Sequence, residues 1–333
     1  MNSNSRVFRA VTQVMLLGGI VATVCSTSDA QVRSNRTRKL APGTIVQIEP
    51  TIEAAETFTG PIELIELTKG VPNLQWDPNF SPQSETLFAM AKETTFRRPI
   101  WALEIGFKPM RMLEMPVIDS NGVTRTKKVW YLMYYVRNSG NHLRPSPQED
   151  ERGHTTFTTE TVKMEIRFFP NFVLESHEFG KAYMDSVITG AVERIRRRED
   201  PSLRMYDSIG ISSVPIKVSS EGADNRVWGV ATWDDVDPRT DFFSVYVRGL
   251  TNAYRWQDPE DFQPGNEPGE GREFTYKTLQ LNFWRPGDAI NPDEMEFRYG
   301  LPTVSQLPPN RDQDEVLKIY RLQERVDYRW VYR

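Results

Sequence analysis

Apolar and polar residues alternate in many short segments of this chain, a pattern typical of β-strands that bury one face. In the first half the alternation predicts strands at 61–68, 100–107, 111–118, 128–138 and 162–176, the last broken at Pro170. In the second half it predicts strands at 213–218, 226–233, 241–250, 274–284 and 294–300, followed by the C-terminal segments VLKIYRL and VDYRWVY. Asn121-Gly122, a pair that favours a tight hairpin, separates two of these strands. The chain is therefore predicted to be mainly β.

The segment KVWYLMYYVRN (128–138) is apolar at both its odd and its even positions. A strand with two apolar faces is typical of the centre of a sheet that is covered on both sides. The polar stretch from Ser139 to about Glu160 that follows is predicted to be a loop.

One helix is predicted between the two halves, at 181–199. Its apolar residues recur at the three- to five-residue spacing of a helix: Tyr183, Val187, Ile188, Ala191, Val192 and Ile195. Four arginines gather at the C-terminal end, where positive charge suits the helix dipole, and Pro201 ends the helix. This basic end is interpreted as solvated surface.

The two halves share a weak repeat. The segments IWAL, YYVRN and VKMEIRFFPNF correspond to VWGV, VYVRG and YKTLQLNFW. Val136 and Val247 are 111 residues apart, and Phe169 and Trp284 are 115 residues apart. An immunoglobulin-like sandwich has about 100 residues. We therefore predict two tandem immunoglobulin-like β-sandwiches with one main helix between them; one larger β-sandwich with insertions is the alternative.

The predicted domain boundaries follow from the repeat. They are a signal peptide at 1–30, an N-terminal leader with a strand and helix segment at 31–95, a first β-sandwich with its C-terminal helix at 96–200, a second β-sandwich at 201–301, and a linker with C-terminal strands at 302–333.

The N-terminus has the pattern of a secretory signal peptide. Two arginines precede a mostly apolar stretch at 11–24, which is short for a membrane span. Ser28-Asp29-Ala30 then places small residues at the two positions that a signal peptidase reads. Cleavage is predicted after Ala30, so the mature chain is expected in the periplasm, the cell envelope or the extracellular space. A lipid anchor on Cys25 is the alternative.

Charge and cysteine content narrow the possible partners. Removal of residues 1–30 leaves 39 basic and 44 acidic residues, a net charge of −5, and removes the only cysteine. The mature chain then has no disulfide and no thiolate chemistry. A mildly acidic surface of mixed charge makes neither nucleic acid nor an anionic membrane an expected partner.

Several blocks of the sequence carry a family resemblance: RRPIWALEIGFKPMRMLE, KVWYLMYYVRN, RRRED, VWGVATWDDVDPRTDFFSVYVRGLTNAYRW and LNFWRPGD. Together they resemble uncharacterised exported proteins of planctomycete bacteria over about residues 97–300, most specifically at 227–256. The resemblance implies a bacterial, exported protein and implies nothing about mechanism.

The sequence lacks the G-x-S-x-G, P-loop and G-x-G-x-x-G motifs of common enzyme classes. The acidic pairs Asp234/Asp235 and Asp258/Glu260 would act as glycosidase carboxylates only at a suitable separation. A zinc site would require three distant histidines, His142, His154 and His177, to converge. The sequence therefore predicts a protein with neither catalytic residues nor a cofactor.

Aromatic residues suggest a binding role instead, since an aromatic ring is a large, rigid surface for contact with a ligand. Tyr254, Arg255 and Trp256 precede a Pro/Gly/Glu-rich loop at 257–271, and Trp284 and Arg285 follow the strand on its far side. These five residues are candidates for a rim site in which a tryptophan stacks on a sugar ring. The alternative is that both tryptophans plug the ends of the sandwich.

The expected function is thus a non-catalytic binding or structural role in the bacterial cell envelope. Envelope polysaccharide or other envelope proteins are the expected partners. A polysaccharide-binding module that uses Trp256 and Trp284 is the specific alternative, and a carbohydrate-active hydrolase is a further one.

Four aspartates fall within WDDVDPRTD (233–241), between two predicted strands. Asp235, Asp237 and Asp241 have the spacing that begins a calcium-binding EF-hand loop, but Thr240 and Tyr246 stand where that loop needs glycine and glutamate. Asp237-Pro238 is also a strong start for a turn. We expect the segment to turn the chain between neighbouring antiparallel strands, with calcium binding as the alternative.

Overall fold

The chain folds mainly into β-strands, as the alternation of its residues predicts. The computed structural model describes residues 43–62, 86, 89–90, 94–118, 121–261, 270–286, 297–303, 306–307 and 312–333. The strands are β1 (Val46–Ile48), β2 (Phe58–Ile62), β3 (Thr94–Arg97), β4 (Glu104–Phe107), β5 (Arg111–Ile118), β6 (Thr124–Arg137), β7 (His142–Glu149), β8 (Thr155–Val162), β9 (Ile166–Arg167), β10 (Asn171–Ser176), β11 (Lys181–Met184), β12 (Met205–Tyr206), β13 (Pro215–Ile216), β14 (Val227–Trp233), β15 (Phe242–Arg248), β16 (Tyr254–Gln257), β17 (Glu273–Trp284), β18 (Arg298–Tyr299) and β19 (Tyr328–Tyr332). The helices are α1 (Ala191–Glu199) and α2 (Gln313–Ile319), with 3₁₀ turns at Ala54–Thr57 and Gly210–Ser213.

Most strands belong to two sheets. Sheet 1 has the order β1-β4-β6-β14-β12, and β5 also pairs with β6. Sheet 2 has the order β11-β10-β15-β17-β16, and β18 and β19 also pair with β17. The hairpin predicted at Asn121-Gly122 is confirmed, because β5 and β6 pair antiparallel and Gly122 has a φ of +76°, which glycine adopts without strain.

The inner faces of the two sheets pack against each other and form one hydrophobic core. Three aromatic contacts cross between the sheets, with ring centroids 4.8 Å apart for Tyr134 and Phe172, 5.4 Å for Trp130 and Phe243, and 6.1 Å for Phe107 and Phe283. The architecture is therefore a β-sandwich.

The strand pairing does not follow the two predicted sandwiches at 96–200 and 201–301. In sheet 1, β6 from the first half pairs with β14 from the second, and in sheet 2, β10 pairs with β15. Each half thus contributes strands to both sheets and to the same core, so neither half buries a core of its own. This pairing is that of the alternative prediction, one larger β-sandwich.

The sequence repeat does not correspond to repeated structure. The matched segments YYVRN and VYVRG lie in β6 and β15, which belong to different sheets. Trp101 packs against the core between the sheets, whereas Trp228 packs against the cluster on the outer side of sheet 1. Strands rich in aromatic and β-branched residues resemble one another in sequence wherever they lie, because a half-buried pleated surface favours the same residue types.

The predicted helix at 181–199 is wrong in its first half. Residues 181–184 form β11, which pairs with β10 and places Tyr183 opposite Leu174. Gly190, at a φ of +78°, precedes the helix, which spans only 191–199. Strand pairing thus overrides a helical spacing of apolar residues that extends over both segments.

Helix α1 covers the outer face of sheet 1. Ile195 and Ala191 pack with Val129, Tyr131 and Met133 of β6 in a second buried cluster. The prediction that 128–138 is a central strand covered on both sides is therefore confirmed: one face meets the core between the sheets and the other meets α1.

Two further predictions differ from the structure. The segment 139–160 was expected to be a loop, but most of it forms the antiparallel hairpin β7–β8. Its threonines and prolines are largely exposed, so no apolar alternation marks these strands. VLKIYRL was expected to be a strand, but α2 covers its first residues and the side chain of Asp312 caps that helix by accepting a hydrogen bond from the Glu315 amide at 2.8 Å.

Other predictions are only partly within the described residues. Strand β2 ends at residue 62, and the rest of the strand predicted at 61–68 lies outside the described residues, as do the signal peptide and Cys25. The strand predicted at VDYRWVY is confirmed as β19. None of the helices among the described residues has the length and apolarity needed to cross a lipid bilayer.

Candidate ligand-binding face

The acidic segment WDDVDPRTD forms a turn at Asp237. The Asp237 carboxylate accepts hydrogen bonds from the backbone amide of Arg239 at 3.0 Å and from its guanidinium at 3.0 and 2.8 Å. The Thr240 amide also donates to the Asp237 carbonyl at 3.0 Å. The bonds from Arg239 hold the pKa of Asp237 far below its usual range. These are the contacts that the prediction of a turn requires.

The turn does not join neighbouring strands, which corrects the expected topology. It leads from β14 in sheet 1 to β15 in sheet 2, so it crosses from one sheet of the sandwich to the other. Arg285 clamps this crossing: its guanidinium donates to the carbonyls of Pro238 and Thr240 and pairs with Asp241 at 3.0 Å. The positive charge beside the turn is therefore that of the Arg285 guanidinium.

The three carboxylates of the alternative calcium site do not share a common partner. Asp237 binds Arg239, Asp241 binds Arg285, and Asp235 is exposed to solvent. Within the described ranges, no group of three histidine, cysteine, aspartate or glutamate side chains is arranged to hold a metal ion.

The five residues of the predicted rim site do not come together. Trp256 pairs with Phe274 in the sheet, ten positions before Trp284 on β17, and ten strand residues span about 33 Å. Trp284 is 5% exposed and packs with Phe242 under α2, so it plugs the sandwich, whereas Trp256 is partly exposed; the alternative, that both tryptophans plug the ends, holds for Trp284 alone. Arg285 holds the acidic turn. Only Tyr254, Arg255 and Trp256 are neighbours.

Tyr254 and Trp256 belong to a larger aromatic surface on the outer face of sheet 2. Leu279, Leu281 and Phe283 of β17 point into the core, so the even positions of that strand point outwards. The register of β16 against β17 then places Tyr254 beside Tyr276 and Trp256 beside Phe274 on this outer side. The ring of Tyr254 lies 5.8 Å from that of Phe274 and 6.3 Å from that of Tyr276.

Arginine side chains lie over the rings of this surface. The guanidinium carbon is 3.7 Å from the ring centroid for Arg98 over Tyr254 and for Arg272 over Trp256. It is 3.6 Å for Arg248 over Tyr276 and 3.9 Å for Arg333 over Tyr246. We call this set the arginine–aromatic face: Arg98, Arg248, Arg272, Arg333, Tyr246, Tyr254, Trp256, Phe274 and Tyr276.

The face is basic, although the chain as a whole is acidic. Glu175 pairs with Arg333 at 3.1 Å, and Asp258 pairs with Arg272 at 2.8 Å. In the described part of the chain no carboxylate pairs with Arg98 or Arg248. Positive charge is therefore left over at this surface, and 48% of Phe274 is exposed beside it.

The central part of the same outer face is closed and polar. Ser244 is fully buried and its hydroxyl lies 2.7 Å from His177 Nε2 and 2.7 Å from Asn282 Oδ1. Gln280 donates to both Ser244 and Asn282, at 3.2 and 2.9 Å. A serine beside a histidine is the arrangement of a nucleophile and its base, but this serine is inaccessible and its hydrogen bonds connect neighbouring strands. The network stabilises the sheet.

His177 is held neutral in this network. Burial lowers the pKa of His177 to about 4; Glu175 raises it, and Arg321, Arg329 and Arg333 lower it further. The ring of Tyr320 covers His177 at a centroid distance of 4.7 Å, and the Tyr320 hydroxyl donates to the Phe283 carbonyl.

One member of each candidate acidic pair is bound to a basic residue. Asp234 pairs with Lys127 at 2.7 Å, and Asp258 pairs with Arg272 of the arginine–aromatic face. Two clefts of about 360 Å³ each also lie on the surface. In the first, the buried carboxylate of Glu104 accepts hydrogen bonds from Arg137 at 2.7 Å and Tyr135 at 3.3 Å. These carboxylates act as ion-pair partners in the structure.

The sequence contains a signal for the arginine–aromatic face that the rim-site prediction did not use. The pairs Tyr246/Arg248, Tyr254/Trp256 and Phe274/Tyr276 each have a spacing of two residues within one strand. The two members of such a pair share one face of the sheet, and in β15 and β17 the core residues at the odd positions make this the outer face. Arg98 and Arg333 lie far away in sequence, so only the fold brings them to this surface.

No protein-family model matches this chain, and neither a curated protein nor a solved structure shows significant similarity to it.

Proposed function

We propose that this chain is an exported, non-catalytic protein of the bacterial cell envelope that binds an acidic polysaccharide on its arginine–aromatic face. The observation that carries this proposal is the stacking of four arginines on four aromatic rings at one surface of an acidic protein. The apolar N-terminal segment that ends at Ala30 supports export.

Guanidinium groups stacked on rings are suited to bind carboxylate or sulfate groups. The ring holds the flat guanidinium from one side and leaves able to donate those N–H groups that no protein group accepts. This applies most fully to Arg248, because Arg98 already donates to the Tyr254 carbonyl at 2.9 Å, and Arg272 and Arg333 each pair with a carboxylate. Because stacking restricts the arginine before the ligand arrives, less side-chain entropy is lost on binding. A carboxylate accepts such hydrogen bonds in pairs, which gives both strength and orientation.

Aromatic rings between the arginines favour a sugar polymer over a small anion. Exposed Phe274 and the partly exposed Tyr254 and Trp256 offer apolar area to the faces of sugar rings, while the arginines beside them meet the acidic groups. The surface extends along β16 and the first residues of β17, which suits an extended chain. An acidic polysaccharide has both properties.

The experiment is a calorimetric titration of the mature protein with polygalacturonate, a polymer of uronic acids, and with dextran of similar length as the neutral control. Binding to polygalacturonate that weakens as salt is added, with no binding to dextran, is expected because the contacts are charged and exposed. Equal binding to both polymers would contradict the proposal, as would equal binding to single-stranded DNA of the same total charge.

A variant locates the binding. Trp256→Ala removes the ring beneath Arg272 and should weaken binding several-fold. Phe179→Ala, at an exposed aromatic residue that lies beneath Arg239 at the turn between the sheets, is the matched control and should leave the affinity unchanged. An equal loss in both variants, or in neither, would place the ligand somewhere else.

A further inference from the structure

The hairpin β7–β8 has two edges of opposite character. The amide and carbonyl of Leu143 on β7 bond to Ile100, which lies outside the hairpin, at 2.9 and 2.8 Å. The odd positions of β7 therefore direct their backbone groups away from β8, because these groups alternate between the two sides of a strand. In this hairpin the odd-numbered residues of β7 lie opposite the odd-numbered residues of β8. The backbone amides and carbonyls of the odd-numbered β8 residues therefore also point outwards, away from β7.

Prolines block the outer edge of β7. Pro145 and Pro147 are both at odd positions, where the backbone groups of β7 point outwards. Because proline has no backbone N–H, this edge lacks two of the donors that a neighbouring strand would need. Natural edge strands use proline in this way to prevent pairing with another chain. Moreover, Ile100 already occupies the first part of this edge.

The outer edge of β8 has no such protection. Thr155, Phe157, Thr159 and Thr161 all retain outward-pointing amides and carbonyls, and among the residues that the structure describes no strand pairs with them. The strand TTFTTETV contains neither proline nor lysine and is rich in residues that favour extended backbone. An open edge of this composition is a template for another strand.

We infer that β8 pairs antiparallel with the β8 strand of a second copy of this chain, which joins two hairpins into a four-stranded sheet. In a pairing centred on Thr158, Phe157 faces the second copy's Thr159, and Thr155 faces the second copy's Thr161. Both members of each pair have outward-pointing backbone groups, so they can exchange hydrogen bonds.

Charge is compatible with this self-pairing. Glu160 is the only charged residue of β8, and it pairs with Arg144 of its own hairpin. In the pairing centred on Thr158 it lies opposite the second copy's Thr156, so no like charges face each other across the new interface.

The test compares proline at the two edges of the hairpin in the mature protein. Thr159→Pro removes an outward amide of β8, and Glu149→Pro removes an outward amide of the already blocked edge of β7. Light scattering should give a dimer for the unmodified protein and for Glu149→Pro, and half that mass for Thr159→Pro. Near-ultraviolet circular dichroism should be the same for all three proteins.

Each other outcome overturns the inference. A monomeric unmodified protein shows that the edge stays open or is covered within the chain. A dimer that persists in Thr159→Pro, or that is lost in both variants, shows that the copies meet through another surface.

Hydrogen exchange provides a second readout if a variant loses its fold. In the unmodified protein, the amides of Thr155, Phe157, Thr159 and Thr161 should exchange slowly at high concentration and rapidly on dilution. Even-numbered amides, such as those of Thr156 and Thr158, bond to β7 and should be protected at both concentrations. Exchange that does not depend on concentration at the odd positions would contradict the pairing.

Discussion

The outer faces of the two sheets are covered in different ways. Helix α1 closes the outer face of sheet 1, where Glu199, with a side chain only 3% exposed, binds Lys108 at 3.1 Å and Arg111 at 2.9 Å. The Tyr131 hydroxyl also donates to Glu199 at 2.8 Å. On sheet 2, α2 covers only the end that contains Phe242 and Trp284. Among the described residues no helix covers the other end, which carries the arginine–aromatic face.

The charged residues of the two outer faces differ in their surroundings. Those beneath α1 bind one another inside the fold, whereas the arginines on sheet 2 lie at a surface that a ligand can reach. Beneath α1, one nearly buried carboxylate binds two cations and a hydroxyl, so these groups are directed into the fold and away from solvent. Burial raises the pKa of Glu199, but the bonds from Tyr131 and Lys108 and the charge of Arg111 outweigh it, and the pKa lies below its ordinary value. On the arginine–aromatic face of sheet 2, by contrast, Arg248 is exposed, and no carboxylate in the described part of the chain pairs with it. Four variants test this contrast.

The largest effect is expected at Glu199. Glu199→Gln leaves Lys108 and Arg111 without their counter-charge in a nearly buried site, which should lower the free energy of unfolding by roughly 3 to 5 kcal/mol. Urea denaturation measures the change. Glu193→Gln on the exposed side of the same helix should have little effect. Binding of polygalacturonate by folded Glu199→Gln should be unchanged, since the site lies on the other sheet.

A smaller effect is expected from the protonation of His177 within the closed part of sheet 2. Its folded pKa of about 4 lies below the ordinary value of 6.5, so the unfolded chain binds a proton that the folded chain does not. The stability that the neutral ring supports is complete above pH 6.5 and is lost as the pH falls towards 4, by roughly 3 kcal/mol for this group.

Urea denaturation across this pH range, compared between the unmodified protein and His177→Gln, isolates that loss from the titration of other groups. His154→Gln, at the exposed turn of the β7–β8 hairpin, is the control and should keep the full pH dependence. If the free energy of unfolding of His177→Gln depended on pH in the same way as that of the unmodified protein, protonation of His177 would not be the cause of the loss of stability.

On the open face, Arg248→Gln should weaken polygalacturonate binding about tenfold, or about 1.4 kcal/mol, because it removes one charged hydrogen-bonding partner of the ligand. Its stability should change little, because Arg248 is exposed and rests only on the surface of Tyr276. Arg197→Gln on α1 removes the same charge from the surface beyond sheet 1 and should bind as the unmodified protein does. Equal weakening in both would indicate an effect of total charge.

The smallest effect concerns the crossing between the sheets. Asp237→Ala removes the bonds to Arg239 that shape the turn, and the melting temperature should fall slightly. Calcium followed by a chelator should leave the melting temperature of the unmodified protein unchanged. A reversible rise with calcium that is absent in Asp237→Ala would show that the aspartates bind the ion.

Features encoded by neighbouring residues could be predicted from the sequence. The two apolar faces of 128–138 specify a strand covered on both sides, and Asp237-Pro238 specifies a turn through the bonds of one side chain to its own backbone. The hairpin at Asn121-Gly122 follows from the same kind of local information. None of these needs knowledge of which strand lies next to which.

Features that depend on residues distant in sequence could not be predicted from the sequence. Alternation tells which face of a strand is buried but not which strand is its neighbour, so the interleaving of both halves in each sheet was missed. The same limit explains the open face. Tyr254 and Trp256 were found because they are close in sequence. Arg248 and Arg333 reach them only through the pairing of β15, β17 and β19, and Arg98 only through the packing of the segment after β3 against β16.

Radical footprinting of the mature protein with saturating polygalacturonate tests the binding face most directly. Oxidation of Tyr254, Trp256, Phe274 and Tyr276 should fall when the polymer is present. Oxidation of Phe179, exposed at the Asp237 turn, and of Trp228, on the outer side of sheet 1, should not change. Dextran should protect none of them. Unchanged oxidation of the four aromatics under conditions where the polymer is bound, or equal protection of Phe179 and Trp228, would contradict the assignment of the ligand to this face.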